Sequence, residues 1–186
     1  MSASADRLTQ DISRLEELAR DLYPRLKIVS KTGSLGEDIM LTGFCAIKLQ
    51  LFYPTVPSTQ YPKKIQERTD ITIKLLSRYP YVEPTAEIST PIYHPNVYAS
   101  GKVCLGTRWF PSQYLDQVVR RIIQIITYDD CILNESSVAN RHALNWYKRI
   151  IKNYPDFFPT HKQLFKDESD TKISWIEIKT SADQHN

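Results

Sequence analysis

The chain has 186 residues, which is enough to bury one sizeable core, and 41% hydrophobic and 24% charged residues are ordinary for a globular domain. A net charge of +3, with no long block of lysine and arginine, argues against a nucleic-acid-binding protein. No stretch approaches the roughly eighteen apolar residues that a membrane helix needs, so no membrane partner is expected. Three widely spaced cysteines predict neither a disulfide framework nor a metal site, and a reducing cytoplasm is the expected location.

The first predicted element is an amphipathic helix, because apolar residues from Leu8 to Leu22 recur at helical spacing and Pro24 ends the pattern. A β-rich stretch follows. Its candidate strands are residues 26–29, 40–52, 71–75 and 86–89. The connections between them are too short for helical crossovers, so the sequence predicts a four-stranded antiparallel meander.

An irregular segment, residues 91–112, separates the strands from two predicted helices. The first of these helices runs from about Gln113 to Ile126 and is largely apolar, and the second runs from about 136 to 151. This order of elements predicts an α+β fold.

The sequence divides into one domain and a tail. The predicted domain covers residues 6–153. Residues 154–180 form a C-terminal extension whose apolar side chains either pack on the domain or bind a partner, and residues 181–186 are expected to be disordered.

Cys104 lies in the irregular segment. A structureless run of this length inside a compact domain is usually functional. No second cysteine is close enough to form a metal clip, and no strongly apolar run surrounds Cys104. Taken alone, Cys104 fits a small buried core residue about as well as it fits a nucleophile.

Five short motifs occur in one order along the chain. They are YPYVEP (79–84), IYHPN (92–96), GKVCL (101–105), WFPS (109–112) and ILN (132–134). In sequence, order and the eight-residue step from Asn96 to Cys104, they resemble the ubiquitin-conjugating enzyme family. That family's fold is an N-terminal helix, a four-stranded antiparallel meander, a long active-site loop and C-terminal helices, which agrees with the elements predicted here.

The resemblance implies an acyltransferase that needs no cofactor of its own. Cys104 would accept the C-terminus of ubiquitin or a ubiquitin-like protein, as a thioester, from an activating enzyme that uses ATP. The modifier would then pass to a substrate lysine, directly or with a RING-type ligase. A thiol suits this exchange because it is very nucleophilic without a strong base.

The resemblance also implies two helpers for Cys104. Asn96 would donate an amide N–H to the oxyanion that forms during lysine attack, or would hold the loop as a turn residue. Asp130, with Asp129 as the alternative, best matches the family's acidic residue beyond the following helix. Its expected role is to orient the amine and take up its proton, and the alternative is a solvated pair at a helix end.

Other residues near Cys104 are expected to be structural. These are Tyr93, His94, Pro95 and Trp109. His94 also raises the alternative of a cysteine hydrolase, because Cys–His pairs are standard nucleophile activators. The two residues lie on one loop with no evident oxyanion hole or orienting partner, which argues against a hydrolase.

Two surfaces follow from the resemblance. Tyr81, Pro111 and Ser112 would face a ligase, although as bare sequence they are ordinary turn residues. Arg7 and Arg14 on the first helix would face the activating enzyme, and the alternative is a solvated basic face.

The chain departs from the family pattern near the predicted nucleophile. Gly106 stands where an acidic residue is usual, the stretch from Cys104 to Trp109 is short, and Thr85 follows Pro84 in place of a second proline. These departures suggest a divergent member, of a bacterial or other non-standard ubiquitin-like conjugation system. The alternative function is a non-catalytic ubiquitin-like-binding adaptor of the same fold, but such relatives usually lack the cysteine.

Overall fold

The computed structural model describes residues 3–32, 44–106, 108–129, 132–133, 135, 137–154 and 157–158. Within these ranges the elements are α1 (Ala3–Asp21), β1 (Leu26–Thr32), β2 (Phe44–Leu51), β3 (Thr69–Leu76), β4 (Thr85–Ile88), α2 (Leu115–Ile126) and α3 (Arg141–Asn153). The predicted α+β class and its order, a helix, four strands and then helices, are confirmed. Residues 40–43 of the predicted second strand lie outside the described residues.

The four strands form one antiparallel sheet in the order β1-β2-β3-β4. Ile71, Ile73 and Leu75 of β3 are buried and the side chains between them are more exposed, because only one face of the sheet packs against the core. The predicted meander is therefore correct, and its one irregularity among the paired residues is a shift of register between Ile28 and Ser30.

The main core lies between the inner face of the sheet and two helices. Leu8, Leu15 and Leu18 of α1 are buried in it. The buried residues of α2 are Leu115, Val118, Val119, Ile122, Ile123, Ile125 and Ile126. This confirms the prediction of a largely buried helix after the irregular segment. None of the helices in the described ranges is long and apolar enough to cross a membrane.

The predicted start of the last helix, near 136, is wrong. The helix begins at Arg141, because Asn140 is its N-cap and its side chain accepts a hydrogen bond from the Ala143 N–H at 3.0 Å. The backbone N–H groups of Ala139 and Asn140 both donate instead to the Pro95 carbonyl, each at 2.9 Å. The residues just before α3 are thus hydrogen-bonded to the segment that carries the predicted site.

A second cluster of buried side chains, called here the aromatic cluster, lies where α3 meets the end of α2. Its buried members are Val56, Tyr128, Trp146, Tyr147 and Phe158. Phe158 stacks on Tyr128 with ring centroids 4.7 Å apart and also contacts Tyr147 at 4.8 Å. Phe158 belongs to the predicted C-terminal extension, so that extension packs on the domain at Phe157 and Phe158. The division at 153 stays a prediction, and residues 159–186 lie outside the described residues.

Candidate active site

The segment from Gly101 to Cys104 runs beside β4. The Ile88 N–H donates to the Gly101 carbonyl and the Val103 N–H donates to the Ala86 carbonyl, both at 2.9 Å. Gly101 has φ of +87°, and a Cβ there would lie 2.2 Å from the Ile88 carbonyl oxygen. Only glycine allows both this backbone angle and this approach, so Gly101 sets the path of the chain toward Cys104.

Asn96 and Cys104 are joined by two hydrogen bonds. The Cys104 N–H donates to the Asn96 carbonyl at 2.7 Å, and the Asn96 Nδ2 donates to the Cys104 carbonyl at 3.3 Å. The Asn96 residue is only 1% exposed. The asparagine therefore holds the cysteine in place from two sides.

Cys104 opens onto a cleft of about 420 Å³. One wall is formed by Glu83, Pro84 and Thr85, just before and at the start of β4. The remaining lining residues are Tyr98, Lys102, Val103, Leu105, Gly106 and Ser137. Cys104 therefore lies in the wall of an open cleft and not in the core.

The other described cysteine, Cys45, is in a different environment. It is 2% exposed on β2, and burial raises the pKa of its thiol, which disfavours the reactive thiolate. Cys104 is half-buried and free. Of these two thiols, Cys104 is the one placed to react. Cys131 lies outside the described residues.

His94 is 1% exposed and faces the interior. Its Nδ1 accepts a hydrogen bond from the Asn96 N–H at 3.0 Å, and its ring packs edge-on against Tyr128 with centroids 4.2 Å apart. Burial lowers the pKa of His94 to about 3. The imidazole is thus neutral, buried and bonded through its Nδ1, which suits the expected structural role and argues against a Cys–His hydrolase.

Tyr93 and Pro95 attach the loop to its surroundings. The Tyr93 N–H donates to the Val56 carbonyl at 2.7 Å, and the Tyr93 carbonyl accepts a hydrogen bond from the Tyr128 hydroxyl. Pro95 supplies the carbonyl that binds the residues before α3. Both positions suit the structural role expected for them.

Trp109 joins the end of the loop to the turn before β4. Its indole Nε1 donates to the Pro80 carbonyl at 2.6 Å, and its ring lies 5.9 Å from that of Tyr79. Tyr81 is 77% exposed just beyond this contact. Pro111 and Ser112 are exposed as well, so the three residues predicted to face a ligase are accessible.

The acidic residues after α2 are only partly described. Asp129 is half-buried, its N–H donates to the Gln124 carbonyl at 2.9 Å, and its carboxylate accepts from the Gln124 Nε2 at 3.4 Å. These contacts hold Asp129 at the end of α2. Asp130 lies outside the described residues and its role stays a prediction.

Arg7 is held by hydrogen bonds and is mostly covered, whereas Arg14 is exposed, as expected for a solvated basic face. The Arg7 side chain is 14% exposed, and it donates to Asp11 at 2.8 Å, to the Pro111 carbonyl at 2.5 Å and to the Gln113 carbonyl. The Arg14 guanidinium lies 3.8 Å from the centroid of the Tyr114 ring. Arg7 therefore binds the end of the irregular segment to α1, and its predicted contact with an activating enzyme stays a prediction.

Sequence reasoning missed Asp11, which is fully buried on α1. Besides Arg7, its carboxylate accepts hydrogen bonds from the Tyr79 hydroxyl at 2.7 Å and from the Leu115 N–H, at the start of α2, at 2.8 Å. Burial and the bond to Asp11 raise the pKa of Tyr79, so the phenol keeps its proton. The spacing could have revealed it, because Asp11 lies on the same helical face as Leu8 and Leu15, which predicts that its side chain is buried.

Arg121 on α2 was also missed. Its Nε donates to the Leu105 carbonyl at 2.9 Å, one residue after the cysteine. Gly106, the next residue, has φ of +70°, a left-handed angle that favours glycine. An arginine within an apolar helix gives no sequence signal for such a contact.

Within the described residues, no group of histidine, cysteine, aspartate and glutamate is arranged to hold a metal ion.

The helix, the meander and the cysteine-bearing loop together define a ubiquitin-conjugating fold. The chain belongs to the ubiquitin-conjugating enzyme family, because the sequence profile described as "Ubiquitin-conjugating enzyme" matches residues 46–158, more than half of the chain. The family and fold predicted from the five motifs are confirmed. The suggested bacterial or non-standard system stays a prediction.

Curated relatives are similar over part of their length. The chain is 35% identical over 92 residues to the ubiquitin-conjugating enzyme E2 2 of Mycosarcoma maydis, covering 46% of this chain and 48% of that protein. It is 26% identical over 84 residues to the ubiquitin-conjugating enzyme E2 of African swine fever virus, covering 39% and 37%. The chain thus spans about half the length, or less, of these relatives.

Solved structures are similar in fold. Ubc12 of S. cerevisiae superimposes with a TM-score of 0.58 at 19% identity, over 80% of this chain and 72% of that one. A putative ubiquitin-conjugating enzyme from Trypanosoma cruzi gives a TM-score of 0.53 at 17% identity, over 84% and 93%. At such low identity these likenesses concern the fold alone.

Proposed function

We propose that this chain is a ubiquitin-like protein conjugating enzyme that carries its modifier as a thioester on Cys104. The observation that carries the proposal is the placement of that thiol, which is half-buried and lines an open cleft. Its backbone is fixed by the hydrogen bond from its N–H to the Asn96 carbonyl. A fixed backbone beside an accessible sulfur is what acyl exchange between two proteins requires.

The first step is exchange between thioesters. The Cys104 thiolate attacks the carbonyl of the modifier's C-terminus on the activating enzyme, a new S–C bond forms, and the activating enzyme's thiolate leaves. The activating enzyme uses the ATP, so this chain needs no cofactor. A thiol needs no strong base for this step, which agrees with a His94 that is buried and neutral.

The second step is attack by a lysine amine, in which a C–N bond forms, the C–S bond breaks and Cys104 leaves as a thiolate. Negative charge develops on the thioester oxygen, and we assign Asn96 to stabilise it. One N–H of the Asn96 amide binds the Cys104 carbonyl, and an amide nitrogen carries two such donors. Losing one oxyanion donor costs on the order of 100- to 1000-fold in other acyl-transfer sites.

Partners follow from the same proposal. The modifier is ubiquitin or a ubiquitin-like protein, and the acceptor is a protein lysine reached directly or with a RING-type ligase. The exposed Tyr81, Pro111 and Ser112 support a ligase contact at one end of the loop. Asp130 remains the proposed group that orients the amine and takes up its proton.

A single-turnover discharge experiment tests the transfer step. The protein is charged with modifier, activation is stopped, free lysine is added, and the loss of the Cys104 thioester is followed by intact mass. For Asn96→Ala we expect thioester formation close to wild type and discharge slower by roughly 100-fold.

The two steps separate the possible roles of Asn96. Equal losses in formation and discharge would mean that Asn96 only holds the loop. A wild-type thioester that is inert to lysine would contradict the proposed transfer. A protein that never acquires the thioester would instead be the adaptor of the same fold.

A further inference from the structure

Two nitrogen donors lie beside Gly106, two residues after the predicted nucleophile. A Cβ atom at Gly106 would lie 3.5 Å from the Asn96 Nδ2 and 3.5 Å from the Arg121 Nη2. Because Gly106 has no side chain, the space between the amide and the guanidinium is not filled by residue 106. Both nitrogens donate hydrogen bonds, and the guanidinium is positively charged, so this space suits an oxygen that carries negative charge.

Both donors are held in place by the loop. The Arg121 Nε donates to the Leu105 carbonyl at 2.9 Å, and because a guanidinium is a planar group with five N–H donors, this bond also orients Nη2. The Asn96 side chain is buried and its Nδ2 donates to the Cys104 carbonyl at 3.3 Å. Donors that are fixed before the reaction are the ones that stabilise a developing charge most effectively.

The two donors border the cleft of the predicted nucleophile. Cys104 and Gly106 both line that cleft. Leu105, between them, is 8% exposed and belongs to the main core. A carbonyl group bonded to the Cys104 sulfur therefore lies in the cleft that Gly106 borders, and the missing side chain at Gly106 leaves room for its oxygen to approach both donors.

We propose that Arg121 is a further catalytic residue, which binds the oxyanion of the transfer step together with Asn96. This inference rests on the proposed thioester function. The lysine nitrogen attacks the thioester carbonyl, a C–N bond forms, and the C=O electron pair moves to oxygen. Over Gly106, Nη2 and Nδ2 donate to that oxygen. The C=O bond then re-forms, the C–S bond breaks, Cys104 leaves as a thiolate, and the amine's proton passes to the proposed acceptor Asp130.

The same arrangement gives a reason for one departure from the family pattern. An acidic residue is usual at position 106, and its carboxylate would lie close to both donors and compete with the oxyanion for them. Glycine leaves the donors to the reacting oxygen. Gly106 and Arg121 thus act as a pair, in which the small residue makes room for the charge on the large one.

Single-turnover discharge of a small acyl group tests the role of Arg121. Cys104 is acylated with acetyl-Gly-Gly as the thioester of 2-mercaptoethanesulfonate, excess probe is removed, and loss of the acyl group to free lysine or to water alone is followed by intact mass. In Arg121→Gln both reactions should slow by roughly 100-fold, because both form the same oxyanion. Arg120→Gln is the matched control, since Arg120 pairs with Asp116 at 4.0 Å, and it should discharge at the wild-type rate.

A second pair of variants changes the space and leaves Arg121 in place. Gly106→Asp and Gly106→Asn have side chains of nearly the same shape, and both residue types tolerate the left-handed angle of Gly106 better than most. Only the aspartate brings a negative charge to the two donors. Gly106→Asp should discharge several-fold more slowly than Gly106→Asn, and Arg121→Gln should cost much less in the Gly106→Asp background than in the wild type.

Three results would overturn the inference. The first is a wild-type discharge rate in Arg121→Gln. The second is a loss that affects attack by lysine and spares attack by water, which would assign Arg121 to the amine. The third is equal discharge by Gly106→Asp and Gly106→Asn. None of these measurements uses an activating enzyme, so the proposed loading of Cys104 would fail or stand by a separate measurement.

Discussion

Two parts of the irregular segment, around Cys104 and around His94, differ in how deeply their side chains are buried. At the cleft, Cys104 is half-buried and Lys102 is exposed, and the backbone there is held mainly by hydrogen bonds. Ten residues before Cys104, His94 is fully buried against the aromatic cluster and bonded through its Nδ1. The part around the predicted nucleophile is partly exposed, whereas the part around His94 is packed in the interior.

The difference shows how a thiol can be both accessible and fixed. Asn96 is bonded to both environments, because its N–H donates to His94 and its side chain donates to the Cys104 carbonyl. Packing of the aromatic cluster therefore stabilises the position of the cysteine without covering it. Changes in the packed region should alter stability first, and changes at the cleft should alter chemistry first.

The largest expected effect is the loss of stability at acid pH caused by His94. The unfolded chain protonates a histidine below about pH 6.5, whereas the folded protein keeps His94 neutral down to about pH 3. Its contribution is fully present above pH 6.5 and is lost as the pH falls through this window, by up to about 5 kcal/mol.

Urea unfolding at a series of pH values checks this expectation. The exposed His142 is the matched control, and His142→Gln should keep the wild-type pH dependence. His94 ring resonances in the folded protein should stay unchanged down to about pH 4. Protonation of His94 in the folded protein at pH 6 would show that its side of the loop is open to solvent.

The next largest effect is expected for Phe158→Ala. Phe158 is 5% exposed and contacts Tyr128, Tyr147 and Trp146, so its removal leaves a cavity in the aromatic cluster. The free energy of unfolding should fall by about 3–5 kcal/mol.

Phe110→Ala is the matched control, because Phe110 is 50% exposed and its removal should cost little. Chemical denaturation measures both variants. Equal stability of the two would mean that Phe158 does not pack on the domain in solution, and that the C-terminal extension is separate from it.

A smaller effect is expected where α1 meets the end of the loop. Tyr79→Phe removes the hydroxyl that donates to the buried Asp11 carboxylate at 2.7 Å and should cost about 1–3 kcal/mol. Tyr81→Phe, at a side chain that is 77% exposed, should leave the melting temperature unchanged. Equal melting temperatures for Tyr79→Phe and wild type would show that the hydrogen bond from Tyr79 to Asp11 does not stabilise this contact.

The sequence predicted the parts of the molecule that depend on local patterns. The alternation at Ile71, Ile73 and Leu75 located β3, and the short connections predicted the meander. The spacing from Asn96 to Cys104 contributed to the family resemblance that identified these two residues as a predicted site. The structure then showed that these two residues share two hydrogen bonds.

Features that depend on distant partners were missed or misplaced. Asp11 is stabilised by Leu115, which lies 104 positions away in the chain, and no local pattern reports such a contact. The last helix was predicted to begin too early. The backbone N–H groups of Ala139 and Asn140 donate to the distant Pro95 carbonyl, a contact that no local pattern reports. Arg121 was missed for the same reason, since its partner is the carbonyl of Leu105.

The central claim is that Cys104 carries the modifier as a thioester. Its most direct test is intact-mass spectrometry without reductant, after mixing the protein with an activating enzyme, ATP and ubiquitin or a ubiquitin-like protein. We predict an adduct that reductant removes, that persists in Cys45→Ala and Cys131→Ala, and that is absent or replaced by a stable ester in Cys104→Ser. An adduct that survives reductant in the wild type, or one that Cys104→Ser forms as a thioester, would contradict the account.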